Sequence, residues 1–354
     1  MEKIKIPLNK ASITQKDFES FKPFDLKQGI AEFENSFKNY IGREFALATS
    51  SGTAALHLAL LSLEVGENDE VVCPSYTCAA ILNALNYVKA KAILIDCNFN
   101  VKNNDFNLLF DDLKNKITKN CKAVIVPHAF GFPAQIDKII SLGIPVIEDA
   151  TQSLGGSLDN KKLGSFGEVS VFSFHQSKMM TTGEGGMLLT DSEDLFKKAE
   201  FLCNYEATLV SQRTELKPKY SIQYNYMMNP LGALLGLSQL RQLDDFIEKR
   251  RRIAEIYTNE LKNKVLAPIE FNNNVFWRYI IETENPKAAI EKAKDYEIEL
   301  GRGVYPALHQ LIGINPLDFP NTEKALSSLM ALPIYPSLKE QEIDYLLKAL
   351  KKIL

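Results

Sequence analysis

Lys178 stands in a polar segment between two apolar runs of the sequence, residues 169–174 and 187–190. Both runs predict buried strands, and the glycine-rich residues 183–186 predict the turn before the second strand. An amine at the end of a buried strand costs free energy unless it is paired or used covalently. The use that fits best is a Schiff base to an aldehyde cofactor, after which the same amine moves protons. The alternative is an ordinary surface lysine in a hairpin loop.

A second segment has the composition of an anion-binding turn. The predicted strand 44–48 runs through small residues, 49–55, into the predicted helix 56–63. This order points backbone N–H groups and the positive end of the helix at an anion. Gly52 permits close approach to the backbone, and Thr53 supplies a hydroxyl group. The same turn also occurs as a plain helix N-cap, so both interpretations stay open for this segment.

Short β-branched runs alternate with helical segments through the first half of the chain. The further predicted strands are residues 70–72, 92–95, 123–126 and 144–147. This alternation predicts an α/β fold with a mostly parallel central sheet and helices on both faces. Because ligands of such sheets bind beyond the carboxyl ends of the strands, we expect Thr53, Asp149, Gln152 and Lys178 on one rim.

The second half of the chain predicts a smaller α+β unit. A long helix with a leucine stripe at 231–261 is expected to connect this unit to the sheet. The unit's own elements are predicted as strands 276–281 and 302–304 and helices 287–296 and 340–350. We therefore expect a large cofactor-binding domain with an N-terminal arm at 1–245 and a small C-terminal domain at 246–354.

The rim residues together match the needs of one aldehyde cofactor, pyridoxal 5′-phosphate. It needs a lysine for its aldehyde, a carboxylate for its ring nitrogen, donors for its phosphate and a group near its phenolic oxygen. Asp149 is the natural carboxylate, since an opposite charge favours the protonated ring. Gln152 suits the phenolic oxygen, and Ser173 can reach the phosphate beside Thr53. The alternatives are a helix N-cap for Asp149 and a polar helix face for Gln152.

Composition excludes several classes of protein. The 354 residues carry 41 basic and 44 acidic side chains, which gives no electrostatic footprint for nucleic acid or an anionic membrane. The first residues lack the apolar core of a secretory signal, and no apolar run is long enough for a membrane span. Five scattered cysteines without C-x-x-C spacing predict neither disulfides nor a zinc site. We therefore expect a cytoplasmic protein with reduced thiols and no metal.

Several motifs of this sequence resemble those of one known family. They are SSGTAALHLAL, VPHAFGFPAQID, VIEDATQSLGG, LGSFGEVSVFSFHQSK and TTGEGGMLLT. The chain resembles the DegT/DnrJ/EryC1/StrS sugar aminotransferases in these motifs and their order, and YPALHQL and ALPIYPSL extend the similarity to the C-terminus. The resemblance implies a fold-type I enzyme, related to aspartate aminotransferase, with pyridoxal phosphate as cofactor and its pyridoxamine form as intermediate.

The resemblance also implies roles for individual residues. Lys178 would be the Schiff-base residue, and Asp149 would contact the ring nitrogen. The remaining cofactor-binding residues that it implies lie around the phosphate, the phenolic oxygen and the ring face: Gly52, Thr53, Ala54, Cys78, Gln152 and Ser173.

Further implied residues concern the substrate and a second subunit. The segment with Tyr305 and His309 faces the substrate in the resembled family. Asn225 is implied to reach the phosphate of the neighbouring subunit in a homodimer with shared active sites. His175, three residues before the lysine, is predicted either to line the pocket or to be a structural histidine. Arg302 is either an anion contact or a solvated charge.

Two positions depart from the family pattern. Family members often carry an aromatic residue after the threonine of the P-S-x-T turn, where it stacks on the coenzyme ring. Cys78 holds that position here, so stacking is expected to weaken or to pass to Tyr76. The usual arginine two residues after the asparagine is Met227, which removes a positive charge near the expected dimer seam.

The function expected from these residues is transfer of an amino group from an amino acid, with L-glutamate favoured, to a keto sugar. A nucleotide-linked sugar is favoured over a keto-cyclitol. One alternative is a pyridoxal phosphate-dependent sugar dehydratase, a branch of the family that carries histidine in place of Lys178. Another is a non-catalytic sensor of the cofactor or an aminosugar. A nicotinamide-dependent dehydrogenase is disfavoured because the glycines at 183–186 lack the dinucleotide fingerprint.

Overall fold

The computed structural model describes residues 3–19, 26–205, 222–262, 264–269, 271 and 273–354. The central sheet is formed by β1 (Phe45–Thr49), β2 (Glu70–Pro74), β3 (Lys91–Ile95), β4 (Cys121–Pro127), β5 (Val146–Asp149), β8 (Val169–Ser173) and β9 (Gly186–Thr190). Between β5 and β8, two short strands form a separate hairpin, β6 (Ser157–Leu158) with β7 (Lys161–Lys162).

The strands of the central sheet lie in the order β1-β9-β8-β5-β4-β2-β3. The pairs β8–β5, β5–β4, β4–β2 and β2–β3 are parallel, whereas β9 runs antiparallel to both of its neighbours. The predicted mostly parallel sheet is therefore confirmed. Parallel strands end at a common edge, so the residues that follow β5 and β8 are brought together there.

Helices cover both faces of this sheet. In the first half of the chain they are α1 (Gln15–Glu19), α2 (Leu26–Ile41), α3 (Gly52–Ser62), α4 (Ala80–Tyr87), α5 (Phe110–Lys116), α6 (Ile136–Ile140) and α7 (Glu193–Cys203). Along β4, Ala123 and Ile125 belong to the cluster that includes α3 and α4, whereas Val124 and Val126 pack with Leu113 of α5 and its neighbours. Both faces of β4 are thus buried, as expected for a parallel sheet between two helical layers.

The second half of the chain begins with a long helix, α8 (Pro230–Leu261). Asn229 caps it by accepting a hydrogen bond from Gly232 N at 2.7 Å, and Pro230 occupies the first turn. The remaining elements are α9 (Pro286–Lys294), α10 (Leu308–Leu311), α11 (Pro320–Ser328) and α12 (Glu340–Ile353), with the strands β10 (Tyr279–Glu282) and β11 (Leu329–Leu332).

The small sheet differs from the sequence prediction. Its strand β10 pairs antiparallel with β11. The strand expected at 302–304 is wrong, because Arg302 has no regular structure and the next two residues form a bend. All four residues of β11 are buried, so they lack the alternation that marks a half-buried strand. A short, continuously apolar run that directly follows a helix cannot be recognised as a strand by its periodicity.

The long helix α8 takes part in two clusters of buried side chains. Leu234 and Leu243 pack in the cluster beneath the central sheet, whereas Tyr257 and Leu261 pack with β10, β11 and α12. Ile6 of the N-terminal arm also joins this second cluster. The domain boundary at 245 stays a prediction, since α8 continues through it without a break. Within the described ranges, no helix has the length and apolarity needed to cross a membrane.

Candidate active site

A cavity of about 230 Å³ lies where β5 and β8 end. It collects side chains from four separate stretches of the sequence, as the sheet topology predicts. It is lined by Ser51, Gly52, Thr53, Leu56, Cys78, Ala80, Ile81, Asp149, Thr151, Val171, Ser173, His175, Lys178 and Glu184. The predicted residues Gly52, Thr53, Cys78, Asp149, Ser173, His175 and Lys178 are therefore brought together.

The N-terminus of α3 forms one wall of the cavity. Ser51 caps the helix by accepting a hydrogen bond from Ala54 N at 3.1 Å, so the amide of Ala54 is already used. Ala54 itself is buried and does not line the cavity. The backbone N–H groups of Gly52 and Thr53 belong to the first turn, which has no intrahelical acceptors. This wall therefore has the donors and the dipole that an anion requires.

Gly52 is needed here because of its close contact with β8. A Cβ atom at this position would lie 2.8 Å from the Cβ of Ser173 and 3.2 Å from the carbonyl oxygen of Phe172. Both contacts are shorter than ordinary van der Waals distances. A side chain at position 52 would thus displace Ser173 from the same wall.

We expect Gly52→Ala to weaken the affinity for pyridoxal phosphate by about tenfold or more, because the shifted wall would lose a charge-assisted hydrogen bond. The dissociation constant is measured by equilibrium titration of the apoenzyme. Gly66→Ala is the matched control, since a Cβ atom there would meet no atom within 4 Å. An unchanged affinity in Gly52→Ala would remove this turn from the phosphate site.

Lys178 enters the cavity from the loop after β8. Its Nζ lies 4.7 Å from the centre of the Trp277 ring, and among the described residues none accepts a hydrogen bond from it. Burial lowers the pKa of the Lys178 amine below its ordinary value, and the Arg278 guanidinium lowers it further. Asp149 acts in the opposite direction and raises that pKa. A lowered pKa increases the fraction of neutral amine, the form that attacks a carbonyl group.

Asp149 is the last residue of β5 and is almost completely buried. Its Oδ1 accepts a hydrogen bond from Thr151 N at 3.0 Å. The preceding residue, Glu148, points into the protein and accepts hydrogen bonds from His128 Nε2 at 2.9 Å and from backbone N–H groups, including Phe166 N. Burial alone would raise the pKa of Glu148, but these hydrogen bonds bring it below its ordinary value. Glu148 therefore anchors the strand end that presents Asp149.

Gln152 is buried beside this strand end but is not among the residues that line the cavity. Its Oε1 accepts a hydrogen bond from Phe130 N at 2.8 Å. No described residue accepts a hydrogen bond from its amide nitrogen. That orientation leaves the Gln152 nitrogen as an available donor, which is the group that the predicted contact to the phenolic oxygen requires.

His175 lines the cavity and keeps part of its ring exposed. Its Nδ1 lies 2.8 Å from the hydroxyl of Ser177 and accepts a hydrogen bond from Ser177 N at 3.2 Å. Its Nε2 lies 3.7 Å from the carboxylate of Glu184, which lines the same cavity. The structure thus places His175 at the cavity, with a carboxylate beside the ring nitrogen that a ligand can reach.

His309 does not line the cavity, and the expectation that it faces the substrate is corrected. Its ring is fully buried and stacks on Phe319. Its Nδ1 lies 2.7 Å from Ser75 Oγ, and its Nε2 lies 2.8 Å from Glu323 Oε1. Both ring nitrogens are used within the protein, so this histidine is structural. Tyr305 is 65 % exposed and lies against Arg302 instead of lining the cavity, with 4.3 Å between guanidinium and ring centre.

The two positions that depart from the family pattern, Cys78 and Met227, lie in different parts of the structure. Cys78 lines the cavity and is exposed, whereas Tyr76 is buried against Phe106 and Phe130. Tyr76 is not among the residues that line the cavity, so of the two alternatives the structure favours weakened stacking. Met227 forms a bridge to Thr49 at the end of β1.

Asn225 is exposed and pairs through its backbone with Asn204. It does not line the cavity of its own chain. Its predicted contact with a neighbouring subunit stays a prediction.

Trp277 and Arg278 stand next to this site and were missed by the sequence analysis. Trp277 donates a hydrogen bond from Nε1 to Ser177 O at 2.7 Å, which fixes its ring beneath Lys178. The Arg278 guanidinium lies 4.7 Å from the centre of the same ring. Trp277 is the single tryptophan of the chain, and this rarity is the signal by which the sequence could have indicated it. Thr151 and Glu184 were also missed, since polar residues in loops carry no distinctive pattern.

The described residues fit pyridoxal phosphate. The Lys178 amine meets no acceptor in the cavity, and Asp149 offers a carboxylate in the same space. Gly52 keeps the wall at α3 open for a phosphate group. The fold and this site together define a pyridoxal phosphate-dependent enzyme of fold type I.

Comparison with known proteins gives the family. The chain matches the DegT/DnrJ/EryC1/StrS aminotransferase family over residues 22–351 and belongs to it. It is 32 % identical to a GDP-perosamine synthase of Escherichia coli O157:H7 over 91 % of this chain and 89 % of that one. A family member of Brucella abortus has a crystal structure that superposes with a TM-score of 0.82 at 26 % identity, covering 94 % of this chain and 90 % of that one. The protein is a pyridoxal phosphate-dependent aminotransferase, as the sequence predicted.

Proposed function

We propose that this aminotransferase moves the amino group of an amino acid, L-glutamate in the first place, to the keto group of a nucleotide-linked sugar. The observation that carries this proposal is the shared cavity of the Lys178 amine and the Asp149 carboxylate beside the N-terminus of α3. A relative named GDP-perosamine synthase supports the choice of a sugar acceptor. Such a reaction belongs to aminosugar and polysaccharide biosynthesis.

The residues of the cavity, and Gln152 beside it, have distinct tasks in this reaction. When bound, pyridoxal phosphate supplies an electron sink and carries the amino group between the two substrates. Thr53, Ser173 and the start of α3 hold its phosphate. Asp149 keeps a negative charge at the ring nitrogen, and the Gln152 amide donates toward the phenolic oxygen. Ring stacking at Cys78 is reduced to contact with a small thiol.

Lys178 is the proposed proton carrier. Its lowered pKa favours the neutral form of Nζ, which is the form that removes the proton from the Cα of the donor. With the coenzyme bound, the same Nζ would return this proton to C4′ of the coenzyme. The face of the Trp277 ring, 4.7 Å from Nζ, supports the amine from one side. His175 and Glu184 are proposed to contact the acceptor at the cavity mouth.

We also propose a homodimer in which Asn225 of each subunit reaches the phosphate in the other. The exposure of Asn225 and its absence from the lining of its own chain's cavity support this arrangement. The cytoplasm is the proposed location, because the exposed, unpaired thiol of Cys78 suits a reducing compartment.

The test separates the two halves of the reaction. Glutamate alone should convert the visible absorbance of the lysine-bound coenzyme into that of the amine form, without any sugar. The loaded enzyme should then return to its first spectrum with keto sugars linked to a nucleotide. If glutamate and other amino acids leave the spectrum unchanged, the transfer reaction is ruled out. That result would favour the dehydratase or the sensor as the function. Reaction with a keto-cyclitol instead of a nucleotide-linked sugar would change the proposed acceptor and leave the proposed transamination in place.

A further inference from the structure

Arg278 places a second positive charge beside Lys178. Its guanidinium carbon and the Lys178 Nζ each lie 4.7 Å from the centre of the Trp277 ring. The two cations are therefore no more than twice that distance apart. Arg278 is close enough to lower the pKa of the Lys178 amine. No step of the reaction proposed above uses this arginine.

Two of the three guanidinium nitrogens of Arg278 lack a hydrogen-bond acceptor in the described part of the chain. Its Nε and Nη1 are buried, and no described residue accepts a hydrogen bond from either. Burial lowers its pKa to about 10, so the group stays charged at neutral pH. Glu299 is near enough to raise that pKa, but no ion pair joins the two side chains among the described residues, and Glu299 Oε2 accepts a hydrogen bond from Leu8 N at 3.3 Å.

Two buried arginines of the described chain, Arg43 and Arg250, also have an Nε without a partner, but each donates from a terminal nitrogen to a nearby oxygen. Arg43 pairs with Asp191 at 2.7 Å and donates to the carbonyl of Gly167. Arg250 donates from Nη1 to the carbonyls of Ile334 and Phe276 at 2.7 and 3.2 Å. A buried charged donor without an acceptor is costly, so Arg278 is prepared for an anion that comes from outside the chain.

We propose that Arg278 binds the α-carboxylate of the amino donor. This inference rests on the proposed transamination. The α-carboxylate is attached directly to the carbon whose proton Lys178 removes, so it must lie close to the Lys178 amine. The diphosphate of a nucleotide-linked sugar is several bonds from the reacting carbonyl and belongs farther out. The Trp277 ring lies 4.7 Å from the guanidinium carbon, and the planar guanidinium itself suits two-point recognition of a carboxylate.

The test compares two donors in the first half-reaction, glutamate and isoglutamine, whose α-carboxylate is replaced by an amide. We expect Arg278→Gln to raise the half-saturating concentration of glutamate about tenfold to a hundredfold, with little change for isoglutamine. Arg278→Lys keeps the charge but loses the planar fork, so it should recover only part of the affinity. Arg252→Gln is the control, since that arginine makes an exposed ion pair with Glu340.

Equal losses for the two donors in Arg278→Gln would overturn the proposal. A loss confined to the second half-reaction, with the nucleotide-linked sugar, would assign Arg278 to the diphosphate and overturn it as well.

A binding measurement tests the carboxylate site independently of the proposed transamination. The emission of Trp277 is followed during titration with 2-methylglutamate, which has no Cα hydrogen to lose. A change in the unaltered enzyme that disappears in Arg278→Gln supports the carboxylate site even if no amino acid is transaminated. If glutamate is transaminated but Arg278→Gln binds 2-methylglutamate as tightly as the unaltered enzyme, the site is wrong and the proposed function stands.

Discussion

Lys178→Ala is expected to slow transamination on the order of 10⁴-fold, because one residue supplies both the covalent attachment and the proton transfer. The wall at α3 and the Asp149 carboxylate stay in place in this variant. The coenzyme should therefore still bind, but without a covalent link. Borohydride should fix it to the unaltered enzyme and not to the variant, which mass spectrometry of the intact chain can measure.

Lys162→Ala is a matched control for this experiment. The Lys162 Nζ lies 4.6 Å from the centre of the Tyr40 ring, much as the Lys178 Nζ lies above Trp277. It differs in being outside the cavity. Removing Lys162 should leave both activity and borohydride fixation unchanged. Covalent fixation that persists in Lys178→Ala would show that another amine holds the coenzyme.

The centre of this site could be predicted from the sequence because each part follows a strand of the same sheet. Asp149 ends β5, and Lys178 follows β8 by a few residues. Strand patterns are local, and parallel strands end at one edge, so these residues had to converge. The turn at Gly52 was recognisable for the same reason, since strand, turn and helix are consecutive in the chain.

Residues from the C-terminal half were harder to place because their environment depends on distant contacts. His309 is enclosed by Ser75, 234 positions away in the sequence, and by Glu323. No local sequence pattern predicts that a histidine has partners for both ring nitrogens. Trp277 and Arg278 likewise reach Lys178 only because the segment before β10 packs against the loop after β8.

Asp149→Asn is expected to lower the transamination rate by about two to three orders of magnitude. Asparagine keeps the shape of the side chain, but it removes the negative charge that favours a protonated ring nitrogen. An opposite charge within roughly 4–6 Å shifts a pKa by about 1–3 units. The loss should appear in both half-reactions, measured in single turnovers, since both use the same electron sink. Asp245→Asn is the control, because Asp245 makes an exposed ion pair with Lys249.

The same substitution has a second consequence, whose sign follows from the charges around Lys178. Asp149 raises the pKa of the Lys178 amine, so Asp149→Asn should lower that pKa further. Arg278 has the opposite influence, and Arg278→Gln should raise it. The rate at which apoenzyme attaches pyridoxal phosphate, measured against pH, should therefore rise at lower pH in Asp149→Asn and at higher pH in Arg278→Gln. If both variants shifted the pH dependence in the same direction, the opposite effects of Asp149 and Arg278 on the pKa of the Lys178 amine would be contradicted. This holds whatever each variant does to turnover.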